Sequence, residues 1–148
     1  MLETSQEVHK ACTVEQIRAC YRVMHQLRPH FLLEKAFIEQ VERQQAQGYH
    51  LLYIAENEEV QACAGFRFLE FLVWGKVLYI DDLITDKDAR RKGYGSTLLK
   101  YLIEQAKNVQ CDQVHLDSGY QRHDAHRLYL NHGFKLCCHH FALELAPG

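Results

Sequence analysis

The stretch Arg90-Arg91-Lys92-Gly93-Tyr94-Gly95-Ser96-Thr97-Leu98 decides how the rest of the chain is interpreted. It lies between an extended segment that ends near Thr85 and a helical pattern that begins near Gly93. Backbone N–H groups at the start of a helix have no partner within it, and the helix dipole adds partial positive charge there. Two glycines let a ligand approach the backbone closely, and three basic residues flank them. The stretch therefore predicts a loop that binds phosphate or pyrophosphate.

Two widespread nucleotide-binding loops do not match this stretch. The pattern GxxxxGK[ST] of a Walker loop is absent from the chain. A dinucleotide-binding loop needs a third small residue three positions after the second glycine, where this chain has Leu98. That loop also lies inside a βαβ unit, whereas a predicted hairpin precedes this one. The alternative to a phosphate site is a basic helix start with a glycine-containing turn.

Hydrophobic periodicity around the loop predicts alternating helices and strands. Thr13-Val14-Glu15-Gln16 has the pattern of a capping box that starts a helix, and Pro29 ends that helix. We expect a strand at 8–13, helices at 14–27 and 33–47, strands at 50–56, 60–71 and 76–85, a helix at 93–109, a strand at 113–117, a helix at 124–132 and an extended segment at 134–145. This order predicts an α/β (α+β) fold with a mixed, mainly antiparallel sheet and helices on both faces.

The composition indicates one globular domain over residues 1–148. The chain is 47% hydrophobic and 24% charged, with a formal net charge of −2. Residues 1–7 lack the pattern of a secretory signal, and no apolar run approaches the roughly 20 residues of a membrane span. The near-neutral charge provides no general field for nucleic acid or an anionic membrane. We therefore expect a cytoplasmic protein with no nucleic-acid or membrane partner.

Cysteine and histidine are frequent, with six and ten residues, but their spacing does not indicate a metal centre. No CxxC pair, HExxH motif or paired Cys/His spacing of a zinc site occurs. We expect reduced cysteines, several of them small buried thiols. His123 and His126 could share one helix face, and His139-His140 follows two cysteines, but solvated or core histidines explain both pairs. No metal is expected.

Three segments of the chain together resemble one enzyme family. RRKGYG at 90–95 fits the R-x-x-G-x-G/A signature with which the GNAT N-acetyltransferase superfamily binds the pyrophosphate of acetyl-coenzyme A (acetyl-CoA). YIDDLIT at 79–85 resembles the strand before that loop, and residues 125–134 resemble the later A-x-x-[LF]-Y-x-x-x-G-F segment. The resemblance implies a GNAT-type fold. It also implies an enzyme that transfers an acetyl group from acetyl-CoA to a primary amine by direct attack in a ternary complex.

An acidic residue of the 76–85 strand would, by this resemblance, accept the proton of the amine. Asp81 matches the position of a base proposed in some members, and Asp82 is the second candidate. The period of two in a strand places these two side chains on opposite faces of the sheet, with Tyr79 on the face of Asp81. The alternative is an Asp pair at a bulge or sheet rim that binds backbone or a cationic substrate without proton transfer.

Further roles follow from the resemblance at the positions that match its motifs. Tyr129 is the candidate acid that protonates the departing thiolate, although a tyrosine in a short amphipathic helix is otherwise usually core. Arg122 stands where many members have Asn, so it could bind a cofactor phosphate or pair with Asp117 or Asp124. The other cofactor contacts implied by the resemblance are Leu83, Ile84, Thr85, Arg90, Arg91, Lys92, Gly93, Tyr94, Gly95 and Ser96.

The sequence indicates less about the acetyl acceptor than about the acetyl donor. In this fold it usually contacts the first two helices and the hairpin turns, which here gives the candidates Arg28, His30, Phe31, Trp74 and Asp117. The acidic side chains would suit a cationic amine. Three functions stay open: an N-acetyltransferase for a small-molecule amine, a protein or peptide acetyltransferase, and a CoA-binding module without turnover. We expect a monomer or a homodimer.

Overall fold

The computed structural model describes residues 6–119 and 122–146, which divide into two compact units, 1–116 and 117–148. In chain order the elements are β1 (His9–Lys10), α1 (Val14–Leu27), α2 (Glu34–Gln45), β2 (His50–Glu56), β3 (Glu59–Phe71), β4 (Gly75–Thr85), a 3₁₀ helix (Lys87–Ala89), α3 (Tyr94–Asn108), β5 (Gln113–Leu116) and α4 (His123–Asn131). The helices and strands predicted before residue 132 are confirmed, with boundaries that differ by a few residues.

The capping box starts α1 where the sequence predicts it. The Gln16 backbone N–H donates to Thr13 Oγ1 at 3.2 Å, and Oε1 of Gln16 accepts from the Thr13 N–H at 3.0 Å. Such a cap contributes about 1 kcal/mol to helix stability. The cap thereby fixes the direction in which α1 leaves β1.

The first unit is built on a five-stranded sheet in the order β1-β2-β3-β4-β5. The first three pairings are antiparallel, and β5 joins β4 in parallel after the crossover through α3. Helices α1 and α2 share one core cluster with the strand residues Leu51, Cys63 and Ile84. The buried α3 residues Leu98 and Leu102 lie outside that cluster, so α3 covers the other face. The predicted mixed, mostly antiparallel sheet flanked by helices is confirmed.

A β-bulge interrupts the pairing of β3 with β4 at the two aspartates. Phe66 pairs with Ile80 and Gly65 with Asp82, so Asp81 has no partner across the ladder. The extra residue restarts the alternation of faces along β4. Asp82 therefore lies on the face of Gly65, and the Asp81 side chain meets Arg67, which is on the same face. The expectation that the aspartates face opposite sides is wrong because the bulge lies between Ile80 and Asp82.

The second unit contains α4 and the segment after it. Gly133 adopts φ 90°, the left-handed conformation expected of a helix stop, and the Gly133 N–H donates to the carbonyl of Leu130 at 3.1 Å. Residues 134–146 form neither helix nor strand. The extended segment expected at 134–145 therefore forms no strand, since alternating apolar residues make one only where a neighbouring strand pairs with them.

All six cysteines are free thiols. Cys20 and Cys63 are buried as expected, whereas Cys12, Cys137 and Cys138 are exposed. Among the described residues, no helix is both long and apolar enough to cross a membrane.

Candidate active site

Asp82 is the most firmly held side chain at the bulge. Its Oδ2 accepts a hydrogen bond from the Tyr49 hydroxyl at 2.7 Å. Its Oδ1 accepts a hydrogen bond from Arg28 Nε at 2.9 Å, and Arg28 Nη2 lies 2.8 Å from the same oxygen in an ion pair. Only 11% of the side chain is exposed. Both oxygens of this carboxylate are therefore occupied, and its orientation is fixed.

Tyr49 reaches Asp82 because the neighbouring strand carries no side chain at Gly65. A Cβ atom built at Gly65 would lie 1.8 Å from the Tyr49 hydroxyl oxygen and 2.4 Å from Cζ. The phenol therefore packs directly against the backbone of β3. Burial, and next the negative charge of Asp82, raise the pKa of Tyr49 well above its usual range. Tyr49 is thus a neutral hydrogen-bond donor at physiological pH.

Asp81 differs from its neighbour in having one oxygen available. Arg67 donates to Oδ2 of Asp81 from Nε at 3.0 Å and from Nη2 at 2.6 Å. Oδ1 accepts no hydrogen bond from any residue in 6–119 or 122–146. Burial raises the pKa of Asp81, although the hydrogen bond and charge of Arg67 oppose the shift. Asp81 is therefore the carboxylate that can receive a proton or bind an ammonium group.

The two arginines are held at the bulge by different contacts. Arg28 follows the last residue of α1, and its Nη2 also donates to the backbone carbonyl of Asp81 at 3.0 Å. Arg67 lies over the ring of Tyr49, with Cζ 5.6 Å from the centroid. Sequence reasoning missed Tyr49 and Arg67 as site residues, because nothing local in their segments points to a strand 14 or 33 residues away.

The loop after β4 has the features of an anion site. Arg90, Arg91 and Lys92 are exposed, and Gly93 adopts φ +84° with open space where a side chain would stand. Gly93 supplies no side-chain cap to α3, so the first-turn N–H groups of that helix lack an intrahelical partner. The backbone carbonyl of Lys92 accepts a hydrogen bond from Gln6 Nε2 at 2.8 Å. Exposed cations beside a helix start without a side-chain cap at Gly93 fit the pyrophosphate of acetyl-CoA.

Tyr94 anchors this loop to the core. Its side chain is 1% exposed, and it forms a hydrogen bond with Glu56. Burial, followed by that bond, raises the pKa of Tyr94 to about 12. The Tyr94 phenol is therefore not available to a ligand at the start of α3, and only the backbone of this candidate remains to bind one.

The buried carboxylate of Asp86 connects the segment between β4 and α3 to α1 through hydrogen bonds. It accepts from Gln26 Nε2 at 2.8 Å and from Arg22 Nη1 at 3.2 Å, and it is 5% exposed. Oε1 of Gln26 in turn accepts from the Lys87 N–H at 3.0 Å. The hydrogen bond from Gln26, more than any other contact, lowers the pKa of Asp86. No local pattern singles out Asp86, because its partners lie 60 and 64 residues away in the chain.

The second unit holds Tyr129, Arg122 and Asp117. Tyr129 is half-buried on α4, and burial raises the pKa of its phenol while the charge of Arg122 opposes the rise. The Oδ2 atom of Asp117 lies 3.3 Å from Nδ1 of His140. The Oγ atom of Ser118 is buried and has no hydrogen-bond partner among the described residues. Ser118 is a polar group that the sequence did not single out.

The remaining acceptor candidates lie in two separate places. His30 and Phe31 are in contact, with ring centroids 4.3 Å apart, and the carbonyl of Phe31 accepts from the Tyr21 hydroxyl. They belong to the loop between α1 and α2, directly after Arg28. Trp74 stacks on His115 with centroids 3.9 Å apart, at the turn before β4. Because a strand rises about 3.3 Å per residue, Trp74, just before β4, is about 23 Å along the strand direction from Asp81.

Metal-binding side chains do not converge in the described part of the chain. Among residues 6–119 and 122–146, no three His, Cys, Asp or Glu side chains are placed to hold a metal ion. His126 instead contacts the carbonyl of Gly119, with its Nε2 at 2.8 Å.

Comparison with known proteins identifies the family of the chain. The acetyltransferase (GNAT) family matches residues 13–134. The uncharacterized N-acetyltransferase YhdJ of Bacillus subtilis (strain 168) is 34% identical over 116 residues, which are 78% of this chain and 81% of YhdJ.

Solved structures show the same fold at lower identity. Ribosomal-protein-alanine N-acetyltransferase from Brucella melitensis biovar Abortus 2308 superposes with a TM-score of 0.80 at 14% identity, covering 94% of this chain and 99% of that one. Glucosamine-6-phosphate N-acetyltransferase from Arabidopsis thaliana gives 0.77 at 18% identity, covering 95% and 98%. The family match and the YhdJ relationship extend over most of the chain, including the basic loop and the strand that carries Asp81 and Asp82. The chain therefore belongs to the GNAT acetyltransferase family.

Proposed function

We propose that this acetyltransferase transfers the acetyl group of acetyl-CoA to the primary amine of a small molecule, by direct attack while both substrates are bound. The observation that carries the proposal is the contrast between the two aspartates. Within the described residues, Oδ1 of Asp81 accepts no hydrogen bond, whereas both oxygens of Asp82 accept one. Asp81 lies on β4, the strand that leads into the basic loop. One strand thus connects an amine-binding carboxylate with an anion-binding helix start.

The acceptor has to lose a proton before it can attack. An alkylamine with a pKa near 10.4 arrives mostly as an ammonium ion. Oδ1 of Asp81 accepts a hydrogen bond from that ammonium and takes up the proton, directly or through a water molecule. Asp82 would have to give up Tyr49 or Arg28 to do the same. Asp82 therefore acts by holding Arg28 and the bulge in place.

The donor binds through the chain between 83 and 96. Acetyl-CoA supplies the activated thioester. The side chains of Arg90, Arg91 and Lys92 and the N–H groups from Gly93 to Ser96 hold its pyrophosphate. Backbone groups of Leu83, Ile84 and Thr85 bind the acyl arm, and an N–H aimed at the acetyl oxygen stabilises developing charge by about 3 kcal/mol.

Tyr129 is proposed as the acid that protonates the departing thiolate, and Arg122 as a cofactor contact in place of the family Asn. The raised pKa of Tyr129 supports this role, because it keeps the phenol protonated at physiological pH. The same proposal includes a single domain over 1–148, a cytoplasmic location, a monomer or homodimer, and no need for a metal. The alternative acceptor is a protein or peptide. The ribosomal-protein-alanine and glucosamine-6-phosphate N-acetyltransferases share only the fold with this chain. Their names therefore do not identify its acceptor.

The test is a panel of primary amines with detection of the free thiol of CoA. We expect Asp81→Asn to lower kcat at least 100-fold with at least one amine that the wild-type protein acetylates, because the proton acceptor is lost. Asp82→Asn should mainly lower stability. Glu39→Gln removes an exposed carboxylate from α2 and is the matched control, with activity unchanged. Absence of thiol release with every amine, or full activity of Asp81→Asn, would overturn the proposal.

A further inference from the structure

The charges at the bulge cancel. Two carboxylates, Asp81 and Asp82, are paired with two guanidinium groups, Arg67 and Arg28. The acidic side chains alone suggested a cationic acceptor. Once both are paired, the residues at the bulge have no surplus negative charge to bind a second ammonium group, as a polyamine would require.

Arg28 keeps unused donors on one side of its guanidinium. Its Nε and Nη2 donate to Asp82 and to the carbonyl of Asp81. Nη1 donates to no acceptor within residues 6–119 and 122–146, and 42% of the side chain is exposed. Arg28 is also rigidly placed, because Asp82 is itself fixed by Tyr49. A guanidinium in this position presents two N–H donors and a positive charge to a ligand.

The unused Nη1 donors of Arg28 and the unused Oδ1 oxygen of Asp81 are held near each other, because Arg28 is hydrogen-bonded to Asp81 itself. Arg28 binds the backbone carbonyl of Asp81, and the Asp81 side chain carries Oδ1. From these contacts we infer that the acceptor is an amine with an anionic group a few bonds away, such as an amino acid or an aminoalkyl phosphate. Its ammonium binds Asp81 and its carboxylate or phosphate binds Nη1 of Arg28. This inference rests on the proposed function, because it names the substrate class of the same site.

A dicationic acceptor would bind less favourably at this site than an amine with an anionic group. Its second ammonium would lie near the partly exposed guanidinium of Arg28, and like charges at close range repel. The nearest other carboxylate, Asp82, already accepts hydrogen bonds on both oxygens. Arg28 therefore selects for an anionic group and against a second cation.

The experiment compares matched acceptors that differ only in the anionic group. β-Alanine is paired with ethylamine, γ-aminobutyrate with propylamine, and O-phosphoethanolamine with ethanolamine, with putrescine as the dication. A charge-assisted hydrogen bond should give the anionic member of at least one pair a kcat/KM about 10- to 100-fold higher. The carboxylate and phosphate pairs distinguish which anion is preferred.

Variants test whether Arg28 causes the preference. Arg28→Gln should reduce the ratio of kcat/KM within that pair to near 1, and Arg28→Lys should restore part of it through its positive charge. Arg43→Gln removes an exposed arginine from α2 and should leave the ratio unchanged. A wild-type preference for the uncharged members or for putrescine would overturn the inference, as would an unchanged ratio in Arg28→Gln. Absence of acetylation of every amine would overturn the proposed function instead.

Discussion

Replacing Gly65 with alanine tests whether the contact between Tyr49 and β3 holds Asp82. The new Cβ would lie 1.8 Å from the Tyr49 hydroxyl oxygen, and real Cβ contacts are not closer than 3.0 Å. The phenol must therefore withdraw by more than 1 Å, which breaks its 2.7 Å hydrogen bond to Asp82. Loss of a hydrogen bond to a charged group costs about 1.5–3 kcal/mol, and overpacking adds about 1 kcal/mol or more. We expect Gly65→Ala to lower the free energy of unfolding by about 3 kcal/mol.

The control is Gly48, where the backbone conformation, and not a lack of space for a side chain, favours glycine. Gly48 has φ +98° and open space around the position of a Cβ, so Gly48→Ala introduces only backbone strain of about 1 kcal/mol. Both variants can be compared with wild type by urea unfolding monitored by circular dichroism. Tyr49→Phe in the Gly65→Ala background should not restore stability, because Cζ and Cε1 would still lie 2.4 and 2.6 Å from the new methyl group. A Gly65→Ala cost no larger than that of Gly48→Ala would refute this reasoning.

Three further predictions concern the loop, the acid and the buried carboxylate. The pKa of Asp86 is lowered in the folded protein. The Asp86 carboxylate therefore contributes fully to stability above the ordinary carboxyl pKa of about 4, and this contribution is lost as the pH falls through the lower pKa of the folded state. The difference in unfolding free energy between wild type and Asp86→Asn should thus shrink in acid, and a constant difference from pH 7 to pH 2 would contradict it. Gly93→Ala strains a residue at φ +84° and should raise the KM for acetyl-CoA about tenfold while changing the acceptor KM little; an unchanged KM for acetyl-CoA would argue against the loop assignment. Tyr129→Phe should lower kcat about 100-fold, and the wild-type rate should decline only above about pH 10, because burial raises the pKa of the phenol. Equal kcat values and pH profiles would remove Tyr129 from the mechanism.

The features that sequence reasoning predicted well depend on neighbouring residues. The capping box at Thr13 and Gln16, the left-handed stop at Gly133 and the glycine-containing start of α3 each involve a few consecutive positions. Their side chains and backbone groups interact within one or two turns of helix. Local pattern is sufficient to place them.

The bulge could not be predicted in this way. The faces of Asp81 and Asp82 depend on the register of β4 against β3, and a shift of one residue moves a side chain to the other face. The contacts that distinguish the two aspartates come from Tyr49, Arg28 and Arg67, which are 33, 54 and 14 residues away. The chemical difference between two adjacent, identical residues therefore arises from tertiary structure alone.

Helix α1 and the residue that follows it contact both the buried Asp86 and the bulge at Asp82. Gln26 and Arg22 bind Asp86 beside the basic loop, and Arg28, about 3 Å beyond Gln26 and about 9 Å beyond Arg22 along the helix axis, binds Asp82. A ligand that shifts this helix from one side changes the free energy of binding on the other side. By thermodynamic linkage, any factor by which acetyl-CoA alters acceptor affinity is the factor by which the acceptor alters acetyl-CoA affinity. On the proposed function, the last two turns of α1 and Arg28 therefore connect the acetyl-CoA loop with the acceptor carboxylates.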